Sequence, residues 1–257
     1  MNKLRTHLAE VASAIREKKG TSEPIVAENF AAEIRSIETG GEVAVFAENM
    51  VDNGVGFTMI KNIVVPNGVT TIAPYAYYYS QTLETISLPD TITTIGIRAF
   101  RDCVKLKPFP LPPLLTEISD YMLSSLTWEE LFVHEGITRI GTGACFNMQK
   151  LKTCSLPNSL QTIDPYAFES CTSLTKIHLK GNVQYIGYGA FIRSSKLSKV
   201  IIDAITPPTL GDKTAFNSTA SNRLIYVPDA SVDAYKSATN WSTYADAIRP
   251  LSELPNE

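Results

Sequence analysis

Apolar residues recur along this chain of 257 residues with a period of 22–23 residues. The clearest column is one of isoleucines, each with an aliphatic residue three positions before it: Ile72, Ile95, Ile118, Ile140, Ile163 and Ile186. A fixed period of this length is typical of arrays in which each repeat buries its apolar face against its neighbours. The pattern therefore predicts a stacked solenoid over residues 60–223.

Each repeat predicts one short strand followed by a second half that carries the isoleucine column. The repeat opens with a large apolar residue such as Leu83, and an alternating pair such as Ile86 and Leu88 follows. Alternation with period two is typical of a strand with one buried face. Proline, as at Pro89, often ends the strand because it has no amide donor. We therefore expect a mostly β fold, with Ala-Phe or a substitute closing each repeat.

The third and fourth repeats and the C-terminal end depart from this pattern. Pro108 and Pro110 stand where the third strand is expected, so we expect an interrupted rung there, and His134 replaces the proline of the fourth repeat. Residues 224–257 predict a final strand and then a helix over 231–249. Such a helix would cap the open end of the stack, which otherwise exposes an edge strand and apolar core.

Residues 1–41 lack the repeat and predict a helical hairpin module. Leu4, Leu8 and Val11 mark one face of a first helix, which Gly20 ends, and a second helix is expected from about Ala27. Residues 42–59 then form a linker and the N-terminal edge of the solenoid. The module either caps the first repeat or serves as an attachment device, including a homo-oligomer through residues 1–41.

Composition and charge argue against several functional classes for this chain. Charged residues make up 19% and hydrophobic residues 44% of the chain, which is typical of a globular protein. The net charge is −3 and no basic stripe stands out, so we expect no nucleic-acid partner. No apolar run reaches the roughly 18 residues of a membrane span, so we expect no membrane insertion. The N-terminus also lacks the apolar core of a secretory signal.

The sequence contains no constellation that indicates catalysis, metal binding or a cofactor. His134 and His178 fall in or just after strands two repeats apart, and no nucleophile motif accompanies either. The four cysteines form no CxxC pair and occupy apolar columns of the repeat, so they are expected to be core residues: Cys103, Cys145, Cys154 and Cys171. We therefore expect a non-enzymatic protein without cofactors.

Outward-facing strand columns offer candidate ligand-binding residues. Phe132 and His178 lie in one such column, and Glu130 and Lys176 lie in the column before it. Phe132 is a large apolar group where the pattern predicts solvent, and exposed aromatic side chains often anchor partners. Tyr78 and Tyr79 form a second aromatic group, which either covers the N-terminal end of the stack or binds a ligand.

The repeat pattern LxxIxLPxxVxxIxxxAFxxC resembles the BspA-type leucine-rich repeat over residues 60–249, and the ending IYVPDASVDAYKSATNWSTYADAI is similar to tails that close such arrays. The resemblance implies a leucine-rich repeat solenoid that binds without catalysis, often as a bacterial surface adhesin. The N-terminal string LAEVASAIREKKGTSEPIVAENFAAEIRSI resembles a helical module in tail proteins of phages and prophages of Gram-positive bacteria.

Two functional hypotheses follow from these resemblances. In the first, the chain is a phage or prophage tail protein located in the virion, and its solenoid contacts a protein or surface glycan of a bacterial host or another tail protein. The missing secretory signal favours this hypothesis, since virion proteins assemble in the host cytoplasm. In the alternative, the chain is a cell-surface or extracellular bacterial adhesin, or a solenoid for protein interactions.

Overall fold

The computed structural model describes residues 44–45 and 61–255, which belong to one compact unit. The helical module expected over residues 1–41 lies outside the described residues, as does most of segment 42–59. Of that segment, Ala44–Val45 forms a strand that pairs with the first complete repeat.

Two ladders of short parallel strands run the length of the solenoid. The first ladder contains the strands that open the repeats and, at its end, one strand of the C-terminal segment: β2 (Asn62–Val64), β4 (Thr85–Ser87), β7 (Glu130–Phe132), β9 (Thr153–Ser155), β11 (Lys176–Leu179), β13 (Lys199–Ile202), β15 (Leu224–Val227) and finally β16 (Ile248–Pro250). The strands of the isoleucine column are β1 (Ala44–Val45), β3 (Thr71–Ile72), β5 (Thr94–Ile95), β6 (Glu117–Ile118), β8 (Arg139–Ile140), β10 (Thr162–Ile163), β12 (Tyr185–Ile186) and β14 (Thr209–Leu210). The predicted period is confirmed, because Ile163 pairs in register with Ile140 on one side and Ile186 on the other.

The core is built from columns of identical or similar side chains. Ile163 and the other isoleucines of its column are buried, as expected. The aromatic column is also buried, and the rings of Phe168, Phe191 and Phe216 stack at 5.3 and 5.2 Å between centroids, with planes parallel to within 2°. Burying one such side chain contributes roughly 1.5–3 kcal/mol. Each repeat therefore obtains most of its stability from the repeat beside it.

A third ladder of hydrogen bonds, which the sequence did not predict, joins the Ala-Phe turns. The amides of Tyr166, Phe168 and Ser170 donate to carbonyls of the next repeat at 2.7–3.1 Å, and most of the other repeats copy this pattern. Tyr166 and Ser170 have left-handed φ values of 60° and 59°. A non-glycine residue in this region costs roughly 1–2 kcal/mol, which the inter-repeat hydrogen bonds and the buried Phe between the two residues offset.

The first ladder is interrupted at two places. Residues 107–110, which include Pro108 and Pro110, form no strand, so β4 and β7 belong to separate sheets. This confirms the expected interruption of the third rung. The second break was not predicted: no strand pairing joins β9 to β11 in the described part of the chain, although β9 pairs with β7 and β11 pairs with β13.

The C-terminal segment departs from the single helix expected over residues 231–249. It contains a six-residue helix, α1 (Val232–Ser237), and 3-10 helices at Asp229–Ser231, Trp241–Ala247 and Leu251–Glu253. The helix ends because Ala238 is extended, and Asn240 then adopts a left-handed φ of 66°. The last part of the predicted helix is instead strand β16, which pairs with β15.

Side chains of this segment satisfy backbone groups that a further repeat would otherwise satisfy. The Phe191 amide donates to the Ala215 carbonyl, whereas the equivalent amide of Phe216 donates to the hydroxyl of Tyr244 at 3.1 Å. At the end of the isoleucine ladder, the side-chain amide of Asn240 donates to the Leu210 carbonyl at 2.9 Å. The indole N–H of Trp241 donates to the Pro208 carbonyl at 2.7 Å. The segment therefore closes the stack, because its side chains supply the hydrogen-bonding groups that a further repeat would supply.

Replacing Ile163 by Asp is expected to prevent folding or to give aggregate. The carboxylate would enter a fully buried column without a partner, at a cost of several kcal/mol against a total stability of roughly 5–15 kcal/mol. Gln161→Asp, two positions away and exposed, is the matched control. Thermal unfolding followed by circular dichroism compares the two variants, and a wild-type melting curve for Ile163→Asp would show that this column is not core.

Replacing Tyr244 by Phe is expected to lower the free energy of unfolding by about 1–3 kcal/mol, because the buried Phe216 amide loses its acceptor. Amide hydrogen exchange at Phe216 should become faster, and denaturant unfolding should give the loss in stability. Tyr78→Phe, which removes a hydroxyl from an exposed ring, should leave both measurements unchanged. Equal stability of the two variants would contradict the proposed role of the Tyr244 hydroxyl.

Candidate functional site

A shallow groove lies on the strand face where β9 and β11 do not pair. One part has a volume of about 480 Å³ and a neighbouring part about 400 Å³. The two parts share four lining residues: Thr153, Cys154, Lys176 and His178. We call the combined depression the strand groove. Both parts are open to solvent, as expected where two adjacent strands are not joined by backbone hydrogen bonds.

Cys154 lines the strand groove from the inward column of the first ladder. The inward column of the first ladder contains Leu131, Ile177 and Val200, all buried, but Cys154 stands between them in the β9 repeat. Cys154 as a residue is half-buried, and the alternation of side chains along β9 directs its thiol to the core side of the strand. The four cysteines therefore occupy inward columns as expected, and Cys154 is the least buried of them.

Phe132 stands at the rim of the strand groove and is 72% exposed. It points outward because side chains alternate along β7, with Leu131 and Val133 directed into the core on either side. Glu130 points outward for the same reason and is also exposed. The structure thus brings together four of the six predicted ligand-binding residues, which are Glu130, Phe132, Lys176 and His178.

His178 is held by hydrogen bonds at both ring nitrogens. Its Nε2 lies 2.8 Å from the Asp203 carboxylate, and its Nδ1 lies 3.1 Å from the Lys180 ammonium. An ammonium can only donate, so Nδ1 accepts from Lys180 and Nε2–H donates to Asp203. Because both nitrogens are engaged, this histidine positions Lys180 beside the groove rather than acting as a free base.

Charged side chains beside the strand groove pair across repeats. The Lys152 ammonium lies 2.7 Å from the Glu129 carboxylate, and the hydrogen bond and charge of Lys152 lower the pKa of Glu129. Lys61 and Glu84 form the equivalent pair earlier in the same column, at 3.3 Å. Sequence reasoning missed these pairs, although opposite charges at a spacing of 23 residues were a visible signal.

Tyr78 and Tyr79 lie apart from the strand groove, in the turn ladder of the first complete repeat. Their ring centroids are 6.2 Å apart, and Tyr75 packs edge-on against Tyr78 at 5.9 Å. Tyr79 is 60% exposed. The rings form a separate aromatic patch on a different ladder from the other four candidates.

A second charged cluster, also missed in the sequence, lies on the isoleucine ladder. The Arg139 guanidinium binds three carboxylates from neighbouring repeats, those of Glu117 (2.9 Å), Asp120 (2.7 Å) and Asp164 (2.5 Å). Burial alone would lower the Arg139 pKa, but these carboxylates raise it. The cluster joins repeats and offers no open cation site.

Within residues 61–255 no three His, Cys, Asp or Glu side chains are placed to hold a metal ion, and no described helix could span a membrane.

Thiol labelling is expected to distinguish Cys154 from the other three cysteines in the native protein. Cys103, Cys145 and Cys171 are fully buried, whereas Cys154 is half-buried and is one of the residues that line the strand groove. Burial raises the pKa of the Cys154 thiol, so its labelling should be slow and should accelerate as the pH rises. Mass spectrometry after maleimide treatment should find one modified site, and none in Cys154→Ser. Labelling of two or more thiols before unfolding would contradict this arrangement.

Comparison with solved structures agrees with the fold. A leucine-rich repeat protein from Bacteroides ovatus ATCC 8483 is 23% identical with a TM-score of 0.53, and the match covers 66% of this chain and 52% of that one. The T. pallidum leucine-rich repeat protein is 24% identical with a TM-score of 0.52, over 68% of this chain and 81% of that one. This chain thus spans about half the length of the B. ovatus protein. At these identities the likeness shows the fold alone.

Sequence comparison identifies the repeat itself. No curated protein sequence matches the chain significantly. A family model, described as the BspA type leucine rich repeat region, matches six copies over residues 56–154 and 112–223. It is a model of a repeat and not of a catalytic domain. Since the match spans well over half of the residues and the strands, columns and period agree with it, this chain belongs to the BspA-type leucine-rich repeat family.

Proposed function

We propose that this protein is a non-catalytic binding solenoid that acts at a bacterial cell surface and contacts its partner through the strand groove. The single observation that carries the proposal is the exposure of Phe132 beside that groove. A phenyl ring held in water by a rigid strand costs solvation free energy, and it recovers this cost when a partner covers it. The partner class is a protein or a surface glycan.

The chemistry of the groove supports binding rather than catalysis. Both nitrogens of His178 are occupied by protein groups. Burial raises the pKa of the Cys154 thiol, which keeps it in its less nucleophilic protonated form. The groove lies on the extended strand face of the stack, and solenoids use extended faces of this kind to contact large partners.

The surface location follows from the family and not from the groove. Members of this repeat family are typically cell-surface proteins, which favours the adhesin hypothesis over the phage-tail hypothesis. Phage-tail association gains no support from the family match, which covers residues 56–223 and leaves residues 1–41 outside it. In the proposal the helical module of residues 1–41 attaches or oligomerises the solenoid, and the strand face remains available for the partner.

Replacing Phe132 by Ala is expected to weaken cell binding at least about tenfold, since truncating a buried aromatic anchor commonly costs 2 kcal/mol or more. The fluorescently labelled full chain is titrated against intact Gram-positive, Gram-negative and epithelial cells, and saturable binding to at least one of them is expected.

Ile205→Ala is the matched control, because Ile205 is an equally exposed apolar side chain (76%) that does not line the strand groove. Its binding should equal that of the wild type. The proposal fails if no cell type binds the wild type saturably, or if the two variants bind equally well.

A further inference from the structure

We infer that the strand groove binds a neutral glycan, that is, a sugar chain without charged groups. This inference rests on the proposed binding function and names the chemical class of the partner. Three features of the groove support it: the pairing of its charged side chains, the backbone and hydroxyl groups along its unpaired boundary, and the aromatic ring at its rim.

The positive charges of the groove are already compensated within the protein. Its four lysines each have an interaction partner in the chain: Lys152, Lys176, Lys180 and Lys199. The Lys152 ammonium pairs with the Glu129 carboxylate at 2.7 Å. Lys180 donates to His178, which in turn donates to Asp203. A charged ligand therefore gains little from these groups, whereas a neutral ligand leaves their pairing intact.

Backbone groups along the boundary between β9 and β11 offer both an acceptor and a donor. The Glu129 and Thr175 carbonyls each accept two amides of the following repeat, at 2.7–3.2 Å. In the described part of the chain, no backbone amide donates to the equivalent carbonyl of Lys152, and the Thr175 amide donates to no backbone carbonyl. Both residues line the larger part of the groove. A hydroxyl group both donates and accepts, so sugar hydroxyls match this boundary.

Side chains extend this mixture of donors and acceptors along the groove. Four hydroxyl side chains line it: Thr153, Ser155, Thr175 and Ser198. The exposed carboxylate of Glu130 lines the smaller part, where it can accept hydrogen bonds from sugar hydroxyls and repels an anion. The groove thus presents hydrogen-bonding groups of both kinds without an excess of donors that an anionic ligand would use.

Phe132 adds a surface on which a sugar ring can lie. The face of an aromatic ring carries partial negative charge, and the C–H face of a sugar carries partial positive charge, so the two stack. Phe132 is fixed by the strand and needs little ordering on binding, which reduces the entropic cost. A sugar chain that lies on this ring can place its hydroxyl groups in the groove beside it.

A glycan fits these features better than an extended peptide does. A peptide that adds a strand needs a free sheet edge, but the unpaired edges of β9 and β11 face each other at neighbouring positions within the stack. The groove therefore offers single amide, carbonyl and hydroxyl groups rather than a continuous edge. Sugar hydroxyls can use such groups one at a time.

Chemical treatment of cells distinguishes a glycan from a protein partner. The fluorescently labelled full chain is titrated against the cell type that it binds, before and after periodate oxidation, which cleaves sugar diols, and before and after protease digestion. We expect periodate to weaken binding at least about tenfold and protease to change it less than about twofold.

Anion-exchange chromatography of the glycans released from the same cells separates neutral chains from anionic ones. At equal sugar concentration, the neutral fraction should compete with the cells for the full chain, and the anionic fraction should not. Raising the NaCl concentration from about 50 to about 300 mM should change the affinity for the neutral fraction less than about twofold, because a neutral ligand has no charge to be screened.

Two threonine variants test the groove itself. Thr153→Val removes an exposed hydroxyl from the groove and should weaken binding of the neutral fraction at least about threefold. Thr94→Val, which removes an exposed hydroxyl from β5 on the other ladder, should change it less than about twofold. Equal melting temperatures of the two variants show that each is folded.

The outcomes distinguish this inference from the proposed function. Retained binding after periodate, loss of binding after protease, competition by the anionic fraction alone, or equal effects of the two threonine variants would overturn the glycan inference. If cells still bind through Phe132 in any of these cases, the partner is of another class and the proposed binding function stands. If no cell type binds the wild type saturably, both proposals fail.

Discussion

Register between consecutive repeats is the constraint on which the rest of this structure depends. Three ladders, two of strands and one of turns, require the amides of one repeat to face the carbonyls of the next. With that register in place, Ile163 meets Ile140 and Ile186, and Phe168 stacks on Phe191. It also stabilises the left-handed residues of the turns, which are costly in isolation. The C-terminal segment follows the same rule, because Tyr244 and Asn240 supply the groups that a next repeat would bring.

The same register determines the chemistry of the surface. Side chains of one column lie about one strand spacing apart, so a residue interacts mainly with those 22–23 positions away. Glu129 and Lys152 pair for this reason, and Arg139 forms ion pairs with carboxylates of the repeats on both sides. The strand groove lies where this regularity fails, at the boundary where β9 and β11 do not pair. Binding is thus proposed at one of the two interruptions of the first ladder.

Membership of a repeat family explains the scaffold and leaves the ligand to the individual sequence. Residues of the inward columns are interchangeable among repeats because they need only fill space. Outward residues such as Phe132 and Lys176 have no such role in packing, and their identity differs from repeat to repeat. The aromatic and charged residues of the strand groove are therefore the properties most specific to this chain.

The sequence by itself determined the period, the buried columns and the interrupted third rung, because each depends on a side-chain property that repeats or fails visibly. Apolar residues at fixed spacing identify the core, and Pro108 and Pro110 remove amide donors. Alternation along the strands also identified Phe132 as exposed and placed it near His178, so most of the candidate site could be predicted.

Only the tertiary structure decided the turn ladder, the broken C-terminal helix and the second break in the first ladder. Backbone hydrogen bonds between repeats do not depend on side-chain type. The sequence therefore showed the Ala-Phe pair of each turn but not the hydrogen bonds or the left-handed residues beside it. The aromatic residues of the C-terminal segment have helical spacing, but Trp241 and Tyr244 reach backbone groups of the last repeat, and this outweighs helix propensity. Cys154 is an ordinary small apolar residue in the sequence. Its place beside the groove follows from the unpaired boundary between β9 and β11, which only the tertiary structure shows.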